Sequence, residues 1–165
     1  MKTIRLIILG ITFFTIGAYA QEYNQAVGIR GGLSSGFEYR VYTNDFNSYK
    51  ILLSTRDRGL QFTALKEFHE YELFSWSEQL VFFYGIGLHV GYERWDEYHY
   101  SYGLRYSKTK TSLITGLDGL AGVEYNFLEA PISLGIEVKP FFNVLGRKTF
   151  DVQLFDFAFT FKYLF

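Results

Sequence analysis

A closed, antiparallel, up-and-down β-barrel of about eight strands, set in a membrane, is the fold class the sequence predicts, and three observations predict it. Apolar and polar residues alternate with period two in run after run, the pattern of a sheet with two unlike faces. Aromatics make up 21% of the chain while only two prolines occur. Beyond residue 20, no apolar run reaches the 18 or so residues of a membrane helix, so a membrane crossing has to be made by strands.

The first twenty residues read as a secretory signal: Lys2 and Arg5, then an apolar stretch from Leu6 to Ile16, then the small-residue site Ala18-Tyr19-Ala20. Residues 1–20 are therefore expected to be removed, leaving 21–165 as one domain. The apolar stretch is too short for a spanning helix. Losing Lys2 and Arg5 from 16 basic residues against 17 acidic ones makes the mature chain net negative. That speaks against a nucleic-acid partner, which would call for a basic excess on one face. The absence of cysteine excludes disulfides, thiolate metal sites and an N-terminal lipidated Cys.

Alternation is clearest from Leu80 to Tyr92, where Leu80, Phe82, Tyr84, Ile86, Leu88 and Val90 oppose Gly85, Gly87, His89, Gly91 and Glu93. Leu117, Ala121, Val123, Tyr125 and Phe127 oppose Asp118, Gly122, Glu124 and Asn126. Ile132, Leu134, Ile136 and Val138 oppose Ser133, Gly135, Glu137 and Lys139. The last segment carries Phe155 to Phe165 on one face and Asp156, Ala158, Thr160 and Lys162 on the other. Nearer the N-terminus, Val27, Ile29 and Leu33, then Phe37, Tyr39 and Val41, then Ile51 with Leu53, and Leu60 with Phe62, predict four shorter strands. Turn chemistry separates them at Ser34-Ser35-Gly36, Asn44 to Ser48, Asp57-Arg58-Gly59 and Glu129-Ala130-Pro131. An even strand count returns both termini to one end and removes exposed edges. The longest gap, Arg94 to Thr111, then falls at the opposite end.

Alternation does not say which face is outside. A membrane barrel turns its apolar face to lipid, while a soluble, lipocalin-like barrel turns it inward around an apolar ligand. The polar face favours the first arrangement: it combines many glycines with Arg30, Glu38, Arg40, Arg56, Glu67, Glu93, Glu124, Glu137 and Lys139, charges of both signs that can pair in a lumen only wide enough for side chains. The soluble ligand-binder remains the alternative.

The C-terminal run Phe157-Ala158-Phe159-Thr160-Phe161-Lys162-Tyr163-Leu164-Phe165 resembles the end of small outer-membrane β-barrel proteins of Gram-negative bacteria, the group known as the outer-membrane protein β-barrel domain. The resemblance extends loosely over residues 21–165. It implies that Phe157, Phe159, Phe161, Tyr163 and Phe165 form an assembly signal, with a periplasmic chaperone and the barrel-assembly machinery as transient partners and outer-membrane lipid as the permanent one. It also implies a structural or interaction role in the outer membrane, with the 94–111 loop outside the cell.

No catalytic role is expected. Some barrels of this kind modify lipid A, and the deacylases among them carry His-x-Ser-Asn, where this chain has His89-Val90-Gly91-Tyr92. His89 beside Glu93 could make an acid–base pair, but a hydrogen-bonded lumen histidine is the simpler expectation. No metal-ligand spacing or cofactor motif occurs. For recognition of an unknown extracellular partner, the candidate surface is Arg94, Trp95, Tyr98, Tyr100, Tyr102 and Arg105, whose aromatic members offer contact area at low entropic cost, with Arg105, Lys108 and Lys110 able to meet lipopolysaccharide phosphates; the simpler expectation is a solvated hairpin extension whose rings rest on the membrane rim.

Overall fold

The structure is a computed structural model that describes residues 23–165 apart from 57, 102, 103 and 147–149, with the backbone alone at 99–101 and 104–106. The signal-peptide expectation for 1–20 lies outside the described residues. Ten ladder segments follow one another: β1 (Gln25–Gly32), β2 (Ser35–Asn44), β3 (Asn47–Arg56), β4 (Gly59–Glu70), β5 (Leu80–Ser101), β6 (Leu104–Asn126), β7 (Ile132–Val138), β8 (Phe141–Leu145), β9 (Asp151–Gln153) and β10 (Phe157–Leu164).

Each of β1 to β6 pairs antiparallel with the next, β6 pairs with β7, β7 with β10, and β10 with β1, so the circuit closes on eight strands. The closing seam is tied at its end by reciprocal backbone bonds between Gln25 and Phe165, 3.0 and 2.9 Å. The fold is thus the closed up-and-down barrel the alternation predicts. The seventh and eighth strands are interrupted. Pro140, which has no N–H to give a ladder, separates β7 from β8, and its carbonyl instead accepts from the Gly119 N–H at 2.7 Å. On the returning side the ladder lapses over Leu154–Asp156 between β9 and β10, so the strand expected from Phe155 begins at Phe157.

Other boundaries also move. Leu33, expected in the first strand, sits in the turn with Ser34, and Ser35-Gly36 already belong to β2. β3 and β4 run far beyond the pairs Ile51/Leu53 and Leu60/Phe62, because their inward positions include Leu52 and Leu65, which blur the alternation. The gap read between strands at Arg94–Thr111 is the hairpin extension expected there: residues 94–101 and 104–111 extend β5 and β6 as a two-stranded ribbon, paired from Arg94↔Thr111 to Ser101↔Leu104. The ladder to β4 stops at Leu60↔Tyr92, and that to β8 at Thr115↔Leu145. Above those levels no third strand joins the ribbon among the described residues; it is roughly 30 Å long at about 3.4 Å per residue. Its sequence alternates aromatic, charged and hydroxyl residues without an apolar face, so hydrophobic periodicity gives no signal there.

Burial assigns the faces. Ile29, Phe37, Ile86, Leu88, Leu117, Ile136 and Phe159 project outward and are 53–70% exposed on the isolated chain. The inward positions hold Arg30, Arg40, Lys50, Lys139 and Lys162 with Glu38, Glu67, Asp118, Glu124, Glu137 and Asp156, all almost fully buried. The apolar interior demanded by a soluble ligand-binding barrel is therefore absent among the described residues; that alternative is overturned by the direction of the side chains.

Candidate functional site

The lumen is filled from the strands inward. At the end that holds the termini, Arg40 on β2 sends Nε to Glu67 Oε2 (2.6 Å) and Nη1 to Glu124 Oε1 (2.8 Å). Lys162 on β10 reaches Glu124 at 2.7 Å, and Lys50 on β3 reaches Glu137 at 2.7 Å. Glu38 is held by charge from Lys50 at 2.9 Å and Lys162 at 3.5 Å. Arg30 donates to Glu137 through Nε at 2.6 Å. Buried charges are tolerable when paired, and the network pairs each of these with an opposite charge across seven strands, although the Glu38 oxygens have charge partners without a well-aligned hydrogen bond.

Phe83 lies at the middle of it, fully buried. The guanidinium of Arg40 and the ammonium groups of Lys50 and Lys162 stand 5.0, 5.8 and 5.2 Å from its ring centroid, where the negative ring face attracts cations. Gly122 makes room for the ring: a Cβ there would fall 2.6 Å from Phe83 Cζ and from the Ile136 carbonyl. Leu65 and Leu120 pack with Phe83 as a small apolar layer. A second charged group lies beyond it, where Lys139 meets Asp118 at 2.9 Å and Asp156 takes the Ser34 hydroxyl at 2.6 Å. Arg30 also donates to Ser34. Ion pairs and this apolar layer fill the bore, as a bore of eight strands requires.

Both described lumen histidines are integrated in this network. His69 faces Ser48 at 2.8 Å, with Glu124 4.0 Å from its Nδ1, an arrangement that superficially has the members of a nucleophilic triad. The polarity runs the wrong way. Glu67, ionised between Arg40 and Lys50, can only accept, so the Ser48 hydroxyl donates its one proton to Glu67 Oε2 (2.9 Å) and accepts from the His69 Nε2–H. A serine so placed directs its proton at Glu67 and not at the histidine that would act as its base. His89 is a buried, hydrogen-bonded lumen histidine, the simpler of the two expectations for it. Its Nδ1 lies 2.7 Å from Asp118 and its Nε2 2.8 Å from Asn143, with Phe141 edge-on at 5.7 Å. Asp118 is 29 residues away in sequence; strand register alone brings it opposite.

Lys50, Ser48, Asn143 and His69 are lumen residues that alternation did not single out. For three of them the signal was present as parity, since Ser48 and Lys50 lie an even number of residues from Arg56 on β3 and His69 lies two from Glu67 on β4; β8 holds no recognised inward position from which Asn143 could be counted.

The candidate recognition residues are divided by the ribbon. Arg94, Asp96 and Tyr98 share one face with Thr109 and Thr111, while Trp95 and Glu97 share the other with Lys108 and Lys110. Arg94 rests over the Tyr92 ring at 5.0 Å. Asp96 accepts from Arg58 at 2.6 Å and from Thr109 at 2.8 Å, which ties the ribbon to the β3–β4 turn. Arg58 takes φ 57° to reach it, left-handed backbone that costs a residue with a Cβ about 1 kcal/mol. The Thr109 hydrogen bond, then that of Arg58, holds the Asp96 carboxyl below its usual range. Lys110 pairs with Glu97. Tyr100 and Arg105 are backbone partners near the tip; Tyr102 lies outside the described residues.

Of the C-terminal aromatics, Phe157, Phe159, Phe161 and Phe165 are exposed on the outer wall and Tyr163 is half-buried beside them.

No protein-family model matches the sequence, and no curated protein does. Among solved structures, the N-terminal β-barrel domain of Pseudomonas aeruginosa OprF is similar at 12% identity and a TM-score of 0.48, over 88% of this chain and 100% of that one.

Proposed function

We propose that this protein is a structural or interaction protein integral to the outer membrane, an eight-stranded barrel with a lumen closed by side chains and a ribbon that stands outside the cell. The observation that carries the reading is the inversion of burial: charges line the inside, while Ile86, Leu117, Leu134 and Phe159 face out. In water such a surface would be an apolar patch far larger than soluble monomers carry; in a bilayer it is the solvated face, and the closed ladder leaves few backbone groups to lipid. The start of β1 and the end of β10 lie at one end with the turns 45–46, 71–79 and 127–131, and the ribbon lies at the other. With the termini periplasmic, as delivery through a signal peptide and assembly from the C-terminal strand require, the ribbon faces the exterior. Outer-membrane lipid is the permanent partner, and a periplasmic chaperone and the barrel-assembly machinery are transient ones.

The test is fractionation and electrophoresis. The protein should be recovered with outer membranes and should migrate faster unboiled than boiled, since a closed barrel resists detergent until heated. Recovery as a soluble periplasmic protein would overturn the reading. Catalysis on lipid A is not part of it: mass spectra of lipid A from overproducing cells are expected to be unchanged.

A further inference from the structure

The outer wall of the barrel is apolar with one exception. Between the two rims, the outward positions among the described residues carry aliphatic, aromatic, small and hydroxyl side chains and a single charge, Lys66 on β4. Parity puts it there: Leu60, Phe62, Ala64, Lys66 and Phe68 alternate with Gln61, Thr63, Leu65, Glu67 and His69, so the strand that sends Glu67 into the lumen sends its neighbour out. Lys66 is not a rim residue. Its cross-strand partners are Tyr49 and Ile86, and Ile86 is the middle of the outward series from Leu80 to Tyr92.

The lumen cations all meet carboxylates; Lys66 does not. Its ammonium stands 5.2 Å from the centroid of the Phe68 ring and pairs with no carboxylate among the described residues. A ring face attracts a cation but does not neutralise it, and a charge on the lipid face is more unfavourable the deeper it lies. The position therefore calls for an anion supplied by the membrane. Phe68 is two residues nearer the 71–79 turn, so the side chain runs along the wall toward that end, its stem on apolar surface and its head toward polar surroundings. From Lys66 to Glu70, where β4 ends, the strand covers about 14 Å at about 3.4 Å per residue, or about 10 Å of height at the tilt of such strands. The stem bridges much of that drop and brings the ammonium toward the level of lipid phosphates.

Two phenols flank the ammonium. Tyr49 lies directly across from Lys66, and Tyr84 is stacked on Phe68 with ring centroids 5.4 Å apart. Both tyrosines are exposed, and neither hydroxyl has a hydrogen-bond partner among the described residues. An ammonium and two phenols are donors suited to an oxyanion. On the other side of Lys66, Ala64 has the smallest outward side chain of β4 and lies between Ile51 and Leu88, which leaves a shallow trough on the wall for an acyl chain. Donors near the rim with a trough above them match one molecule that carries both a phosphate and a chain.

We propose that Lys66, Tyr49 and Tyr84 form a binding site for a glycerophospholipid of the leaflet on the side of the 71–79 turn, held by its phosphodiester, with one acyl chain along Ala64. The proposal rests on the membrane reading above.

The test takes the full barrel folded in non-ionic detergent micelles, its folding verified by the heat-dependent shift in migration, and counts bound lipid by native mass spectrometry. Phosphatidylglycerol is the probe. Diacylglycerol with the same chains lacks the phosphate, and sodium phosphate offers the anion without the chains. The expected result is one phosphatidylglycerol held at least about tenfold more tightly than any that follow, no retained diacylglycerol, and no displacement by millimolar sodium phosphate. Lys66→Met should weaken that first binding about tenfold, as loss of a hydrogen bond to a charged group does. Lys66→Arg should retain it, the double variant Tyr49→Phe with Tyr84→Phe should weaken it about threefold, and Lys108→Met on the ribbon should leave it unchanged. Displacement by sodium phosphate would make this a site for free anions and overturn the lipid assignment. Equal retention of diacylglycerol, or equal losses from Lys66→Met and Lys108→Met, overturns the proposal while the barrel reading stands. A chain that never shows the heat-dependent shift overturns that reading and this one with it.

Discussion

Single residues in the lumen show why burial and charge coexist in this molecule. Arg40 spans two carboxylates, and Glu67 and Glu124 have no substitute of its shape. Arg40→Met is expected to cost about 3–5 kcal/mol, because it strands buried charge rather than merely deleting a contact. Arg40→Lys should fall between, since an ammonium is a point charge and does not fork. Unfolding in urea from lipid vesicles measures both; a wild-type midpoint for Arg40→Met would mean the network does not hold the lumen. Phe83→Ala removes the ring from three cations and opens a cavity, with an expected loss of about 3–5 kcal/mol by the same assay. The charged character of these positions was legible in the sequence at Arg30, Glu67, Glu124, Glu137 and Lys139. Their partners were not, because a contact such as Lys50 with Glu137 is fixed by the closure of the sheet and leaves no local trace.

Among the elements, the β5–β6 ribbon has no third strand beside it among the described residues, and the Arg58–Asp96 contact ties it to the β3–β4 turn. Asp96 in its folded place has a lowered pKa, from the Thr109 hydrogen bond first and Arg58 next. A carboxylate with a depressed pKa contributes its stabilisation fully above the unfolded value, about 3.9, and loses it as pH falls through the folded value. Spin labels at Thr55 and Ser107 should therefore give a narrow distance distribution at pH 6 that broadens only below about pH 4. Asp96→Asn should be broad at both; a wild-type distribution indifferent to acid would count against the tether. Because the ribbon pairs only with itself beyond Tyr92 and Leu113, joining residue 94 to residue 111 through a short turn should leave the heat-dependent migration shift intact. Loss of that shift would show that the ribbon takes part in closing the barrel.

At the scale of the whole molecule, the arrangement is a soluble protein turned inside out, with polarity in the bore and hydrocarbon-like surface around it. Ile86→Arg and Leu134→Arg place a charge on that surface, and each is expected to cost about 2–4 kcal/mol of folding free energy in a bilayer, read from urea titration of the inserted protein. In a water-soluble barrel of the same topology those exposed positions would accept arginine with little change. An Ile86→Arg barrel of unaltered stability in lipid would therefore remove the basis for a membrane setting.

The sequence by itself determined the strand period, the strand count and the composition of the two faces, because side-chain alternation is a local property of extended backbone that each segment reveals without its neighbours. It also placed His89 and the C-terminal aromatics on opposite faces. Only the tertiary structure decided which face looks outward, that residues 94–101 and 104–111 continue two strands, and that Asp118 is the carboxylate that meets His89. These depend on register and closure, which bring together residues as far apart as Arg30 and Asp156, and a periodic pattern is unchanged when the sheet is rolled up with either face inside.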